Sequence, residues 1–337
     1  MKVVITDHRF PNVDQERRAV EAAGGELVAG QAEDQAQLIE LCREADGVLV
    51  TRAPVTRRVV EAMERCRIIV RYGVGVDCVD VASATELGII VANVPDYCVD
   101  EVSDHALALL LALSRQMVPA IAVAKQDDWP LHKLPPLRRL RGQTCGLFGC
   151  GRIGSLFAQK VSALGMQVLV HDPYLSAARA KDLDAELVPF EELLERSDFI
   201  SIHAPLNQET RHRFGEAAFA RIKPTAYLIN VSRGGQIDET ALLNAVDTGR
   251  IAGAGLDVLE SETQLTPVRA RLVRHPKIIV TPHTAWLSQE AVTTLQARAI
   301  EQVLACFRGE IPYGVVNPEV KPRHAGPLRG RGAARST

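Results

Sequence analysis

Cys145-Gly146-Leu147-Phe148-Gly149-Cys150-Gly151-Arg152-Ile153-Gly154 runs from an apolar strand pattern through closely spaced glycines into a helical stretch that ends near Leu164. A second apolar strand, Val168-Leu169-Val170-His171, then ends on Asp172, eighteen residues beyond the last glycine. Glycine-rich turns alone are common, but strand, glycines, helix and acid in this order form a dinucleotide-binding fingerprint. Gly149 permits the tight turn, Gly151 lets backbone approach a pyrophosphate, and Gly154 lets helix and strand pack closely. The helix start, with Cys150, Arg152 and Ile153, offers unpaired N–H groups and a positive dipole end to phosphates. Asp172 suits the adenosine ribose hydroxyls and repels a 2′-phosphate, with no Lys or Arg before Arg179 to reverse that, so NAD is favoured over NADP.

The same alternation extends both ways. Upstream, Val3–Thr6, Gly47–Thr51, Arg67–Arg71 and Ile89–Ala92 read as strands. Asp14–Ala23, Asp34–Arg43, Thr56–Arg65 and Val79–Leu87 between them carry helical spacing. An evenly apolar helix is predicted over Asp100–Gln116, followed by a proline-rich loop, Trp129–Pro136. Downstream strands fall near Gln167–His171, Phe199–His203, Ala226–Asn230, Gly253–Asp257 and Lys277–Thr281, and a last helix spans Ser288–Arg308. This pattern predicts an α/β fold with two doubly wound parallel-sheet domains. A length of 337 residues agrees, at roughly 150 residues per domain.

Composition narrows the function classes. Apolar residues make up 47% and charged residues 24%, as in ordinary globular proteins. Net charge is −2, yet five Lys or Arg and no acid follow Val320, leaving 34 basic against 41 acidic groups in the rest. Such a body lacks the basic surface that nucleic acid requires. No apolar run approaches the ~20 residues of a membrane span. The N-terminus enters a strand without signal-peptide anatomy, so a cytoplasmic location is expected. The seven cysteines, at 42, 66, 78, 98, 145, 150 and 306, form no CxxC, and buried reduced thiols are expected rather than disulfides or a metal site.

Three further segments place chemistry where an open α/β sheet binds ligands, beyond the C-terminal ends of strands. Asn230-Val231-Ser232-Arg233-Gly234-Gly235-Gln236-Ile237-Asp238 supplies an arginine. Gly253–Glu262 supplies Asp257, Glu260 and Glu262, and Thr281-Pro282-His283-Thr284-Ala285-Trp286 supplies a histidine. Arginine, carboxylate and imidazole together suit a small anion.

At this point the chain resembles the D-isomer-specific 2-hydroxyacid dehydrogenases over roughly Gly47 to Pro318. The ordered motifs are Arg71-Tyr72-Gly73-Val74-Gly75-Val76-Asp77, Gly149–Gly154, His203-Ala204-Pro205-Leu206, Asn230–Asp238, Gly255–Glu262 and Thr281–His283. Thr284–Ser288 looks like the C-terminal-binding-protein branch, where a tryptophan, here Trp286, lines the substrate pocket. The resemblance implies a flavodoxin-like substrate domain, 1–98 completed by 288–318, and a Rossmann NAD-binding domain, 99–287, around an interdomain cleft. Residues 319–337 are left as a basic, disordered tail.

The resemblance also implies roles. Arg233 anchors carboxylate and carbonyl oxygens with its forked donors. His283 is general acid in reduction and general base in oxidation, since an imidazole titrates near neutrality. Glu262 orients that ring; Glu260 is its rival, and the spacing from Asp257 favours Glu262. Val74 and Gly75 hold the substrate carboxylate through their N–H groups, with Arg71 near that loop. Asp257 takes the nicotinamide carboxamide, while His203, Ala204, Pro205, Val231 and Ser232 wall the cofactor. Tyr72 and the Trp129–Pro136 loop are candidate specificity elements. Thr263 departs from the family, which has proline there. The other histidines, His105 among them, receive no catalytic role. A homodimer through the NAD-binding domain is expected. Two alternatives stand beside the 2-keto acid enzyme: an NAD(H)-sensing corepressor-like scaffold, and a dehydrogenase of another small anion such as phosphite.

Overall fold

A computed structural model describes residues 1–125 and 137–323. The Trp129–Pro136 loop and the chain after Arg323 lie outside the described residues. The chain divides into two compact units, one made of Met1–Tyr97 with the chain from Ser288 onward, the other of Cys98–Leu287.

The first unit is a five-stranded parallel sheet, β1 (Lys2–Ile5), β2 (Glu26–Ala29), β3 (Gly47–Val50), β4 (Ile68–Arg71) and β5 (Ile90–Ala92), ordered β2-β1-β3-β4-β5. This is the flavodoxin-like winding. Its strands are apolar almost without alternation because both faces are covered: Val3–Ile5, Val48–Val50 and Ile68–Val70 are all fully buried. Helices α1 (Asp14–Ala22), α2 (Gln35–Cys42), α3 (Arg57–Ala62) and α4 (Val81–Glu86) make the crossovers. The C-terminal helix, Gln289–Phe307, packs on α1, β3 and β4. The Ser288 hydroxyl caps it by accepting from the Ala291 N–H at 2.8 Å.

Two readings of this unit change. Tyr72 is not a specificity element: it is 2% exposed, and its hydroxyl donates to the Glu16 carboxylate at 2.8 Å. Gln296 Nε2 holds the same carboxylate, at 3.0 Å to each oxygen, so Tyr72 is an internal post. The terminal segment also stays ordered past residue 319. The Arg323 guanidinium donates to the Met63 carbonyl at 2.6 Å and the Cys66 carbonyl at 3.0 Å, and its N–H reaches Gly88 O. Met63 caps the C-terminus of α3, where helix geometry leaves carbonyl acceptors unpaired.

The second unit begins with α5 (Val99–Ser114), then breaks at Gln116, which is left-handed with φ 50°, before α6 (Met117–Ala124). Seven parallel strands follow: β6 (Thr144–Phe148), β7 (Gln167–His171), β8 (Ala185–Leu187), β9 (Phe199–Ile202), β10 (Tyr227–Asn230), β11 (Gly253–Leu256) and β12 (Ile278–Val280). Their order, β12-β11-β10-β9-β6-β7-β8, is the Rossmann arrangement with one strand added, and its winding reverses between β6 and β9. Helix α7 (Arg152–Ala163) links β6 to β7 and packs against α5.

None of the seven cysteines lies in a disulfide, and all but Cys78 are buried. Burial pushes the Cys42 thiol up to about 12. Among the described residues no group of His, Cys, Asp or Glu is arranged to hold a metal ion, and no single helix is long and apolar enough to cross a membrane.

Candidate active site

The glycine loop after β6 sits at the point where the second unit's winding reverses. Gly149 adopts φ +89°, and a Cβ there would lie 2.5 Å from the Ala204 nitrogen, so only glycine fits. A Cβ on Gly154 would stand 2.7 Å from the Gly149 carbonyl oxygen, which is the close helix–strand approach. A Cβ on Gly151 would meet nothing within 4 Å. That space opens in front of the α7 N-terminus, where N–H groups and the helix dipole favour a phosphate. These residues fit a bound dinucleotide.

Asp172 ties the cradle together. Its carboxylate accepts from the Cys150 N–H at 2.7 Å and from the Tyr174 N–H at 2.8 Å. Across the reversal, His203 packs its ring 5.0 Å from Phe157 and places Nε2 2.9 Å from the Ser201 hydroxyl. Burial holds the imidazole down at about 3, so His203 is a neutral wall at physiological pH. The Ala204 carbonyl accepts from the Ser232 hydroxyl at 2.6 Å and from Gln236 Nε2 at 3.0 Å. Gln236, fully buried, therefore fastens the loop after β9 to the loop after β10. Its position inside Gly234–Gln236, a single 3₁₀ turn, hid this from the sequence pattern.

Arg233 stands immediately before that turn. Asn230 brackets it, with Oδ1 accepting from the Ser232 N–H and Nδ2 donating to the Arg233 carbonyl, each at 2.9 Å. Gly234 presses on the next loop so closely that a Cβ would lie 2.0 Å from the Leu259 carbonyl carbon. Glycine at 234 thus lets the arginine loop nest against the segment that carries Glu262.

Glu262 and His283 meet: Nδ1 lies 2.8 Å from Oε1 and 3.0 Å from Oε2. The pair is about one-quarter exposed, 22% for the imidazole and 25% for the carboxylate, so it faces solvent without floating in it. With Nδ1 facing the carboxylate, Nε2 is the ring nitrogen directed away from Glu262. Glu260, the rival, turns away to Arg211 at 2.8 Å and His212 at 2.9 Å, while its own N–H donates to the Glu239 carboxylate.

His283 is left-handed, with φ 55°, which is uncommon for a non-glycine residue. Its N–H donates to the Asp257 carbonyl at 2.8 Å. The Asp257 side chain, 1% exposed, accepts from the Thr281 hydroxyl at 2.6 Å, the Thr284 N–H at 2.9 Å and the Ala285 N–H at 2.8 Å. Asp257 is therefore the anchor of the histidine turn, a role the spacing did not reveal. Trp286 Nε1 donates to the His283 carbonyl at 3.0 Å and braces the turn from its other end.

The remaining substrate candidates belong to the first unit. Gly73, at φ +137°, leaves room for the Arg71 guanidinium, which would collide with a Cβ there. Asn93 Nδ2 holds the Val74 carbonyl, and among the described residues no protein acceptor takes the Val74 or Gly75 N–H. Two adjacent unengaged donors can bind an anion.

Comparison with known proteins bears on all of this. The D-isomer specific 2-hydroxyacid dehydrogenase, NAD binding domain, is matched over residues 107–285. The chain is 38% identical over 287 residues to a glyoxylate reductase of Korarchaeum cryptofilum, covering 84% of this chain and 86% of that one. It is 36% identical over 334 residues to a D-3-phosphoglycerate dehydrogenase of Methanocaldococcus jannaschii, covering 98% of this chain but 62% of that longer protein. Among solved structures, the D-lactate dehydrogenase from Aquifex aeolicus, complexed with NAD and lactic acid, superposes with a TM-score of 0.84 at 26% identity, covering 91% of this chain and 96% of that one.

Proposed function

Because the chain belongs to the D-isomer-specific 2-hydroxyacid dehydrogenase family, and is an NAD-dependent oxidoreductase, we propose that it interconverts a small 2-keto acid and its D-2-hydroxy acid. The observation that carries this reading is the Glu262–His283 pair, 2.8 Å apart, in the unit that also carries the dinucleotide cradle. When bound, NADH supplies a hydride to the carbonyl carbon.

The chain's own residues do the rest. Gly151 and the N–H groups at the start of α7 hold the pyrophosphate, and Asp172 holds the ribose. His283 gives the carbonyl oxygen a proton from Nε2 during reduction and takes it back during oxidation. Glu262 keeps Nδ1 protonated and the ring oriented. Arg233 presents fixed positive charge to the carbonyl and carboxylate oxygens, which matters most as negative charge develops on the alkoxide. The Val74 and Gly75 N–H groups serve the carboxylate, and 1–98 with 288–318 serves as the substrate domain.

Trp286 supports a likeness to the C-terminal-binding-protein branch, but the complete Arg233, Glu262 and His283 set favours turnover over a scaffold role. Seven cysteines, most of them buried and none in a disulfide, support a reducing, cytoplasmic setting. Met117, Val118 and Ile121 of α6 are exposed and apolar, which supports a homodimer through the NAD-binding unit. Ile121→Asp should then shift the mass measured by light scattering from dimer to monomer.

The deciding experiment mixes the protein with NADH and a panel of anions: glyoxylate, hydroxypyruvate, pyruvate, a 3-phosphorylated 2-keto acid and a 4-methylthio-2-keto acid. NAD with phosphite runs in parallel. Oxidation of NADH by one or more keto acids is expected. NADH binding without turnover on any of them would overturn the reading, and reduction of NAD by phosphite alone would replace it.

A further inference from the structure

His105 has no part in the steps above, yet it lies beside the turn that holds His283. Its position follows from a glycine. A Cβ on Gly255 in β11 would stand 3.1 Å from Leu109 Cβ and 3.2 Å from Leu113 Cδ1, so α5 lies flat on β11 because residue 255 has no side chain. Two residues further along, just past the end of β11, is Asp257, and one turn back along the helix from Leu109 is His105. The imidazole reaches Thr281 Oγ1 at 2.9 Å and Asp257 Oδ1 at 3.5 Å through Nε2.

Hydrogen-bond chemistry orients this cluster. The Thr281 hydroxyl has one hydrogen, and its oxygen is 2.6 Å from Asp257 Oδ1. That carboxylate already accepts from two backbone N–H groups, Thr284 and Ala285, so it acts as an acceptor here. The threonine hydrogen therefore points to Asp257, and a lone pair of the threonine oxygen takes a hydrogen from His105 Nε2. Protonation of Nδ1 leaves Nε2–H in place, so the arrangement holds for neutral and charged rings alike.

We infer that His105 is a positioning residue for His283: its Nε2–H locks the Thr281 hydroxyl onto Asp257, and Asp257 fixes the left-handed turn from which the imidazole projects. The inference rests on the proposed proton-transfer role of His283. Without the lock the Thr281 rotor is free, the carboxylate loses its fixed direction, and the imidazole samples a wider range of positions. Small misplacements of a reacting group lower the rate of the chemical step more than they weaken binding.

The test uses His105→Leu, His105→Gln, Thr281→Val and the Leu/Val double variant. Removal of one neutral hydrogen bond should lower kcat about two- to tenfold, with KM for NADH unchanged. Gln retains a donor near the Nε2 position and should restore most of the loss. The double variant should be no slower than Thr281→Val alone, because both substitutions break the same chain. Unchanged kcat in the Leu variant, equal loss in Leu and Gln, or additive losses would each overturn the inference.

A second readout is independent of any substrate. In histidine-labelled protein at pH 8.5, the ¹⁵N shifts of His105, assigned by their disappearance in His105→Gln, should report the Nε2–H tautomer. An Nδ1–H tautomer overturns the inference even if the enzyme is active. The Nε2–H tautomer in a protein that turns over no keto acid would leave the hydrogen-bond lock standing while the proposed function fails.

Discussion

Alanine at Gly151 and alanine at Gly154 should do opposite things, although the two glycines are three residues apart in one turn. At Gly154 the added methyl would lie 2.7 Å from the Gly149 carbonyl oxygen, a backbone atom that cannot swing aside. Overpacking of this kind costs about 1–3 kcal/mol, part of it offset by the better helix propensity of alanine. At 2–4 °C per kcal/mol for a domain of this size, Gly154→Ala should melt about 2–8 °C below wild type. At Gly151 the methyl would meet nothing within 4 Å, and φ is −71°, which alanine adopts without strain. Gly151→Ala should therefore melt at or slightly above the wild-type temperature.

Its defect should appear with the cofactor, because the methyl projects into the space that a pyrophosphate would occupy. A clash of the same 1–3 kcal/mol, now in the complex, weakens NADH binding about five- to 150-fold. Fluorescence titration with NADH, beside thermal melting of both variants without ligand, separates the effects. Wild-type NADH affinity in a well-folded Gly151→Ala would refute the assignment of this loop to the pyrophosphate. A large fall in the melting temperature of Gly151→Ala would refute the open geometry itself.

The other expectations concern the proton-transfer pair, the anchor, the buried tyrosine and acid stability. His283→Ala and His283→Gly should each cut turnover by at least about 10²-fold with NADH binding retained, as measured by steady-state kinetics and fluorescence titration. The glycine variant should be the more stable of the two by roughly 0.5–1 kcal/mol, because it relieves the left-handed strain at the cost of a floppier unfolded chain. Arg233→Lys should lower kcat/KM by about tenfold or more, since a point charge cannot replace a forked donor; an unchanged value would remove Arg233 from the site. Tyr72→Phe should lose about 0.5–1.5 kcal/mol of stability in urea titrations while the preference among keto acids stays as it was, and a changed preference would restore Tyr72 as a specificity element. His203 is held neutral down to about 3, whereas a histidine in the unfolded chain protonates near 6.5. As pH falls through that window the unfolded state binds a proton that the folded state refuses, so stability declines by about 1.4 kcal/mol per pH unit on this account. His203→Gln should flatten that slope by one proton between pH 6 and 4.5, read as the difference between the two urea midpoints.

Much of this was legible in the sequence because the features that matter are local. A strand–turn–helix with Gly149, Gly151 and Gly154 needs no distant partner to be recognised, and Asp172 falls at the end of the next strand. Arg233, Glu262 and His283 each follow a strand whose apolar run is unmistakable, so their common side of the sheet could be foreseen. What escaped was either short or non-local. Strands β2 and β8 have four and three residues and lie at sheet edges, with Glu26, Ala29, Glu186 and Leu187 exposed, so neither carries a continuous buried run. The break between α5 and α6 rests on a left-handed Gln116 whose amide reaches Tyr227, more than a hundred residues away. Asp257 was placed just beyond its strand, but its hold on the histidine turn was hidden, because its donors, Thr281, Thr284 and Ala285, arrive from the far side of the Pro267–Arg274 helix. Tyr72 and Glu16 are 56 positions apart, and neither residue alone signals the other.

The backbone at His283 shows why these non-local bonds concentrate where they do. A left-handed L-residue costs about 1–2 kcal/mol relative to a relaxed one, and a chain selected for stability alone would place glycine or asparagine there. Instead the turn is held from four directions: His283 N–H on the Asp257 carbonyl, Thr284 and Ala285 N–H on the Asp257 carboxylate, and Trp286 Nε1 on the His283 carbonyl. At a net 0.5–1.5 kcal/mol each, such bonds together outweigh the strain. The bonds come entirely from the second unit, so the imidazole does not wait for a ligand to be oriented. A proton donor that is already aimed adds little reorganisation to the barrier when charge begins to move. The conformation that a stability argument would remove is therefore the one that lets Nδ1 meet Glu262, with Nε2 on the opposite side of the ring for the proposed proton transfer.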